Sequence, residues 1–138
     1  MDADLQQVLI DRYPNLLNID PSPWGPGMGF TIRVGAAGWF GLLDRLFLQI
    51  EKEQEGGISE DCHITSIKEK MGELHFTYEG ADEQVVQLVQ QARLESAQTC
   101  QVCGRHGNLR ILPGSIAATL CDADARRLCE VFGEQVTP

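Results

Sequence analysis

Residues 99–129 read TCQVCGRHGNLRILPGSIAATLCDADARRLC. Cys100 and Cys103 form a C-x-x-C pair, and Gly104 and Gly107 behind it permit a tight turn whose backbone N–H groups can point at thiolate sulfurs. Seventeen residues separate Cys103 from Cys121. That gap lies in the range between the two halves of zinc-ribbon-like sites. Zinc takes four tetrahedral ligands and accepts a carboxylate oxygen beside sulfur. The spacing Cys121-x-x-Asp124 therefore nominates Cys100, Cys103, Cys121 and Asp124 as ligands. His106 and Cys129 are the alternatives for the fourth position. Four protein ligands leave no place for water, so the Zn2+ would be structural. The competing reading is a set of buried apolar cysteines without metal. A redox C-x-x-C should follow a strand and open a helix, whereas this pair follows a predicted helix.

Working outward, residues 108–112 and 116–120 read as a hairpin turning at Pro113-Gly114, and 122–131 as a short helix. Upstream, Asp82 is an N-cap candidate for a helix over 83–97, with Val85, Leu88, Val89, Ala92 and Ser96 as its buried stripe. A β-hairpin is predicted over 63–70 and 73–79 around Met71-Gly72. Leu74, Phe76 and Tyr78 alternate cleanly on its second strand. Ile64 and Ile67 fall on opposite faces of the first, which a bulge would reconcile. Trp39, Leu42, Leu43, Leu46, Phe47 and Ile50 keep helical spacing across 39–54 and mark the centre of the core. Phe30, Ile32 and Val34 alternate as a strand. Residues 14–29 form a Pro/Gly loop, and Leu5, Val8, Leu9 and Arg12 place a helix over 3–12, ended by Pro14.

The expected fold class is α+β, with an antiparallel sheet of about three strands packed by helices and a C-terminal zinc-ribbon-like knuckle. Residues 1–99 would form the core and 100–138 a knuckle subdomain packed on it, one domain overall. A chain of 138 residues can bury such a core without disulfides. Five cysteines, an odd number, behind a start (MDADLQQV) that lacks a basic, apolar signal point to a reducing cytoplasmic compartment and to metal ligation. No apolar stretch reaches the ~20 residues of a membrane span.

The net charge of −9 is unevenly placed. Residues 1–61 carry ten acidic and four basic side chains, while 100–138 carry four of each. Nucleic-acid binding draws its affinity from a basic face, and no such face is visible. An acidic surface suits a basic protein partner. Catalytic patterns are missing: His63, His75 and His106 sit in no H-E-x-x-H or H-x-E context, and there is neither a nucleophile elbow nor a P-loop.

Three segments in order carry a resemblance: Gly38-Trp39-Phe40-Gly41-Leu42-Leu43-Asp44-Arg45-Leu46, the K-E-K-x-G-x-L-x-F-x-Y pattern of 68–78, and C-x-x-C-G-x-x-G-x-L followed by L-C-D-x-D over 100–124. Together they resemble a group of small bacterial and prophage-borne proteins with no assigned activity, across roughly residues 35–125. The resemblance implies the hairpin and the zinc knuckle. The group has His at the last ligand position, where this chain has Asp124.

The first functional expectation is a non-enzymatic inhibitor or immunity-type protein that masks a basic partner, such as a toxin or effector. Its contact surface would comprise Trp24, Glu51, Glu53, Glu55, Glu60 and Asp61. The second is a zinc-knuckle regulator acting on nucleic acid through Arg105, Arg110, Arg126 and Arg127. The third, a small metal-dependent enzyme, requires water in place of Asp124. Nothing in the sequence addresses oligomeric state.

Overall fold

A computed structural model describes residues 3–17, 37–55, 62–80 and 82–136. The elements are α1 (Ala3–Arg12), α2 (Phe40–Glu55), β1 (His63–Lys70), β2 (Glu73–Glu79), α3 (Glu83–Ser96), β3 (Asn108–Leu112), β4 (Ile116–Leu120) and α4 (Asp122–Val136). A short 3-10 turn, Ala37–Trp39, leads into α2. The fold is α+β with two separate antiparallel hairpins, β1–β2 and β3–β4. A three-stranded sheet is not present among the described residues. The strand expected at 30–34, and Ile19, Trp24 and Met28 of the loop before it, lie outside them.

Trp39, from the 3-10 turn, and the apolar stripe of α2 are the centre of the main core, with Trp39, Leu42, Leu43, Leu46, Phe47 and Ile50 all buried. Helix α1 and the turn after it cover one side through Leu9, Tyr13, Leu16 and Leu17. The Tyr13 ring meets Phe47 edge to face at 5.5 Å, the favoured aromatic geometry. Its hydroxyl donates to Asp44 Oδ1 at 2.6 Å, and Arg12 pairs with the same carboxylate at 3.2 Å. The N–H of Ile64 donates to Leu16 O at 2.8 Å, tying this turn to β1.

In the β1–β2 hairpin the register shifts between Ile64 and Ser66. The bulge turns Ile64 and Ile67 to the same buried side, as an extra residue in one strand must. Met71 and Gly72 both have positive φ, the geometry of a two-residue hairpin turn matched to strand twist. Helix α3 is capped by Asp82, which accepts from the Val85 N–H at 2.9 Å. Its stripe buries Val85, Val89, Ala92 and Ser96, with Leu88 half-buried. The buried serine has a purpose: Ser96 Oγ accepts from Leu74 N–H at 2.9 Å and donates to Arg93 O at 2.6 Å. A backbone donor on β2 is thus satisfied by the helix that covers it.

Helix α4 outruns the expected short helix and continues through Gly133 to Val136. An interior glycine costs only about 1 kcal/mol, which does not end a helix by itself. A second, small apolar cluster joins α4 to β3–β4: Cys100, Leu112, Leu120 and Ala125, flanked by Val102, Ala118, Cys121 and Leu128.

Two buried acids of the main core set an alkaline limit. Burial, then the Asp44 hydrogen bond and charge, raise the Tyr13 pKa from 10.0 to about 12. Burial, then the Asp82 charge, raises the Cys62 thiol from 9.0 to about 11. The unfolded chain therefore loses these protons first. Their contribution is complete below pH 9.0 and declines as pH climbs to about 12. Urea midpoints should fall across that window, and Tyr13→Phe should flatten the upper part of the slope.

Candidate metal centre

The C-x-x-C loop begins where α3 ends. Thr99 and His106 bridge antiparallel, Gly107 N–H donates to Gln98 O at 2.9 Å, and Cys100 N–H donates to Arg105 O at 2.7 Å. Gly104 closes the turn by donating to Cys100 O at 3.0 Å. Its φ of +81° is open to glycine at little cost. Strand β4 returns Cys121 to this loop. Cys121 also starts α4: its sulfur accepts from the Asp124 N–H at 3.5 Å, so the helix N-terminus favours a negative sulfur.

The four expected ligand atoms converge, all within 4.8 Å of one another. Cys103 Sγ lies 3.7 Å from Cys121 Sγ. Asp124 Oδ2 lies 3.3 Å from Cys100 Sγ and 3.2 Å from Cys121 Sγ. A tetrahedral ion with ~2.3 Å metal–sulfur bonds has sulfur–sulfur edges of about 3.8 Å, and slightly shorter sulfur–oxygen edges. The three contacts given above are close to those edges, and the group as a whole, within 4.8 Å, could hold a metal ion. His106 and Cys129, the alternative fourth ligands, are not part of it. The His106 backbone bridges Thr99, and its side chain is exposed. Cys129 lies on the exposed side of α4, in a groove with Arg110 and Arg126.

Protonation ties the four groups together. The Arg105 backbone N–H pulls the Cys103 thiol down. Burial and hydrogen bonds to Asp124, Cys100 and Cys121 outweigh it and push the pKa up to about 12. Thiol donors from Cys103 and Cys121 in turn hold the Asp124 carboxyl below its ordinary range, with Cys100 and the Arg127 charge adding to the effect. A bound cation must displace thiol protons, so affinity falls with falling pH.

What joins the two halves of the site is not a ligand. Gln101, inside the C-x-x-C pair, is only 5% exposed. Its N–H donates to Thr119 O at 2.9 Å, and its side-chain Oε1 accepts from Thr119 N–H at 2.7 Å. Its own carbonyl accepts from Gly38 N–H at 2.8 Å, beside the bond from Trp39 Nε1 to Thr99 O at 2.9 Å. Thr119 Oγ1 then donates to Gly72 O at 2.6 Å. The knuckle is thereby fastened to α2 and to the β1–β2 turn. None of these roles was visible in the sequence. A buried glutamine between two cysteines carries no periodic signal. Gln101→Met keeps the volume and strands the buried Thr119 N–H, so stability should fall by about 1–3 kcal/mol in urea titration.

The arginines expected to gather beside the knuckle divide. Arg110 pairs with Asp122 and Arg127 with Asp124, while Arg105 and Arg126 are exposed. Of the expected partner-binding residues, Glu51 and Glu53 lie on α2, half-buried and exposed respectively. Glu55 ends that helix, its side chain outside the described residues, as are Trp24, Glu60 and Asp61. No described helix is long and apolar enough to cross a membrane.

The geometry defines a chain with a Cys/Asp cluster able to take a metal. Beyond that class, no family, curated-protein or solved-structure match was found for this chain.

Proposed function

We propose that this chain is a non-enzymatic binding protein of the inhibitor or immunity type, stabilised by one structural Zn2+ and directed at a basic protein partner. The convergence of three sulfurs and one carboxylate oxygen within 4.8 Å carries the metal half of this reading. Soft thiolates with one oxygen suit zinc, and four protein donors complete its tetrahedron, which favours a structural role. Elemental analysis of protein purified without added metal should find one zinc per chain. Absence of zinc, with every thiol titratable in the folded state, defeats this half.

Charge supports the partner half. The chain carries −9 overall, and Arg12, Arg45, Arg93, Arg110 and Arg127 are each paired with an internal carboxylate. These arginines are thus each matched by a carboxylate of the same chain while the overall balance stays acidic, which favours steering toward a basic surface. Charge reversal at Glu51, Glu53 and Glu55 should slow association with a basic partner about tenfold or more at low salt, and less at high salt. An on-rate that neither charge reversal nor salt alters rejects the basic-partner reading.

A further inference from the structure

We propose that Arg127 is a positioning residue of the metal site, holding Asp124 as a ligand through one oxygen. The inference rests on the metal reading above and extends it to a residue that is not itself a ligand. Asp124 presents its two oxygens to different neighbours. Oδ2 faces the sulfurs of Cys100 and Cys121 at 3.3 and 3.2 Å. Oδ1 accepts from Arg127 Nη2 at 3.1 Å, one helical turn along α4. The carboxylate is thus divided between the metal position and the guanidinium.

A carboxylate needs this division where an imidazole would not. Its two oxygens are chemically equal, so it can rotate, exchange them or chelate with both. A ligating imidazole offers one nitrogen. Occupying Oδ1 removes the competing modes and orients Oδ2, the usual work of a hydrogen bond to a ligand. Arg127 also offsets part of the charge, because three thiolates and a carboxylate outnumber the charges of a divalent cation. The Asp124 side chain is only 15% exposed, so the contact is partly shielded from water, whereas the Arg127 side chain is 61% exposed. Its truncation therefore leaves no cavity.

The test is a double-mutant cycle on the full chain: wild type, Arg127→Ala, Asp124→His and the double variant. Zn(II) affinity is read by competition with a chromophoric chelator, and Co(II) serves as spectroscopic probe. Removing a partner of a metal ligand typically costs about 10–100-fold in affinity. Arg127→Ala should show a loss of that size in the Asp124 background and less than about threefold in the Asp124→His background. The tetrahedral Co(II) bands of the wild type should weaken in Arg127→Ala as the carboxylate gains its second metal contact. Equal losses in both backgrounds mean that Arg127 acts through its charge alone and overturn the proposal. So does an Arg127→Ala variant with wild-type affinity and spectrum. If Asp124→His does not fold, the Co(II) spectra of wild type and Arg127→Ala decide the matter alone. A wild type that takes up neither metal defeats the metal reading itself, and this inference with it.

Discussion

Replacing Cys100 and Cys103 by serine should unfold residues 100–136 as a unit at 25 °C, leaving α1, α2, α3 and the β1–β2 hairpin folded. Apart from its hydrogen bonds to the core through Gly38, Trp39 and Gly72, the knuckle has only a small apolar cluster to hold it. Among the described residues its apolar cluster contains four buried residues, one of them Cys100 itself and another Ala125. Clusters this small supply too little burial to offset the ordering of a hairpin and a helix. Structural zinc contributes on the order of 10 kcal/mol to the folding of comparable sites. Whole domains are stable by only ~5–15 kcal/mol. Native-state hydrogen exchange reads the outcome directly. In the double-serine variant, and in wild type after chelation, amides of Leu112, Thr119 and Leu120 should lose protection. Those of Phe47 and Ile67 should keep theirs. Protection of β3 and β4 unchanged by either treatment would falsify the structural-metal reading and return the cysteines to ordinary packing.

Gly38→Ala should be among the most damaging single changes outside the ligands. A methyl group at Gly38 would sit 2.1 Å from Cys100 O, 2.6 Å from Gly104 N and 2.9 Å from Gln101 C. All three are backbone atoms of the C-x-x-C turn, so no flexible side chain can yield. The turn is held in place from the other side by the Gln101–Thr119 bonds. Relief requires α2 and the knuckle to separate, which also breaks the Gly38–Gln101 bond. The expected loss is about 3 kcal/mol or more. Gly41→Ala is the matched comparison. It lies on the exposed side of α2, with nothing within 4 Å of the added carbon. It should stabilise by about 0.5–1 kcal/mol, because glycine is the poorer helix former. Urea titrations of the pair should thus diverge in sign. A Gly38→Ala variant no less stable than Gly41→Ala means that the knuckle does not abut α2.

Much of the local structure could be read from residue order alone. The buried stripe of α2, the Asp82 cap, the Met71-Gly72 and Pro113-Gly114 turns and the bulge near Ile64 each follow from interactions within a few residues. Such interactions leave a period or a turn residue behind. The grouping of Cys100, Cys103, Cys121 and Asp124 was legible for a related reason: metal chemistry restricts residue type, and each half of the group is a short-range spacing. Only the tertiary structure brought Asp124, and not His106 or Cys129, to the three sulfurs, because that placement depends on how β4 meets the loop after α3. It alone showed that Gly38, Gln101, Gly72 and Thr119 fasten the knuckle to the core. Those contacts join residues far apart in the chain, where close approach of backbones decides the fit, and close approach leaves no pattern in a sequence.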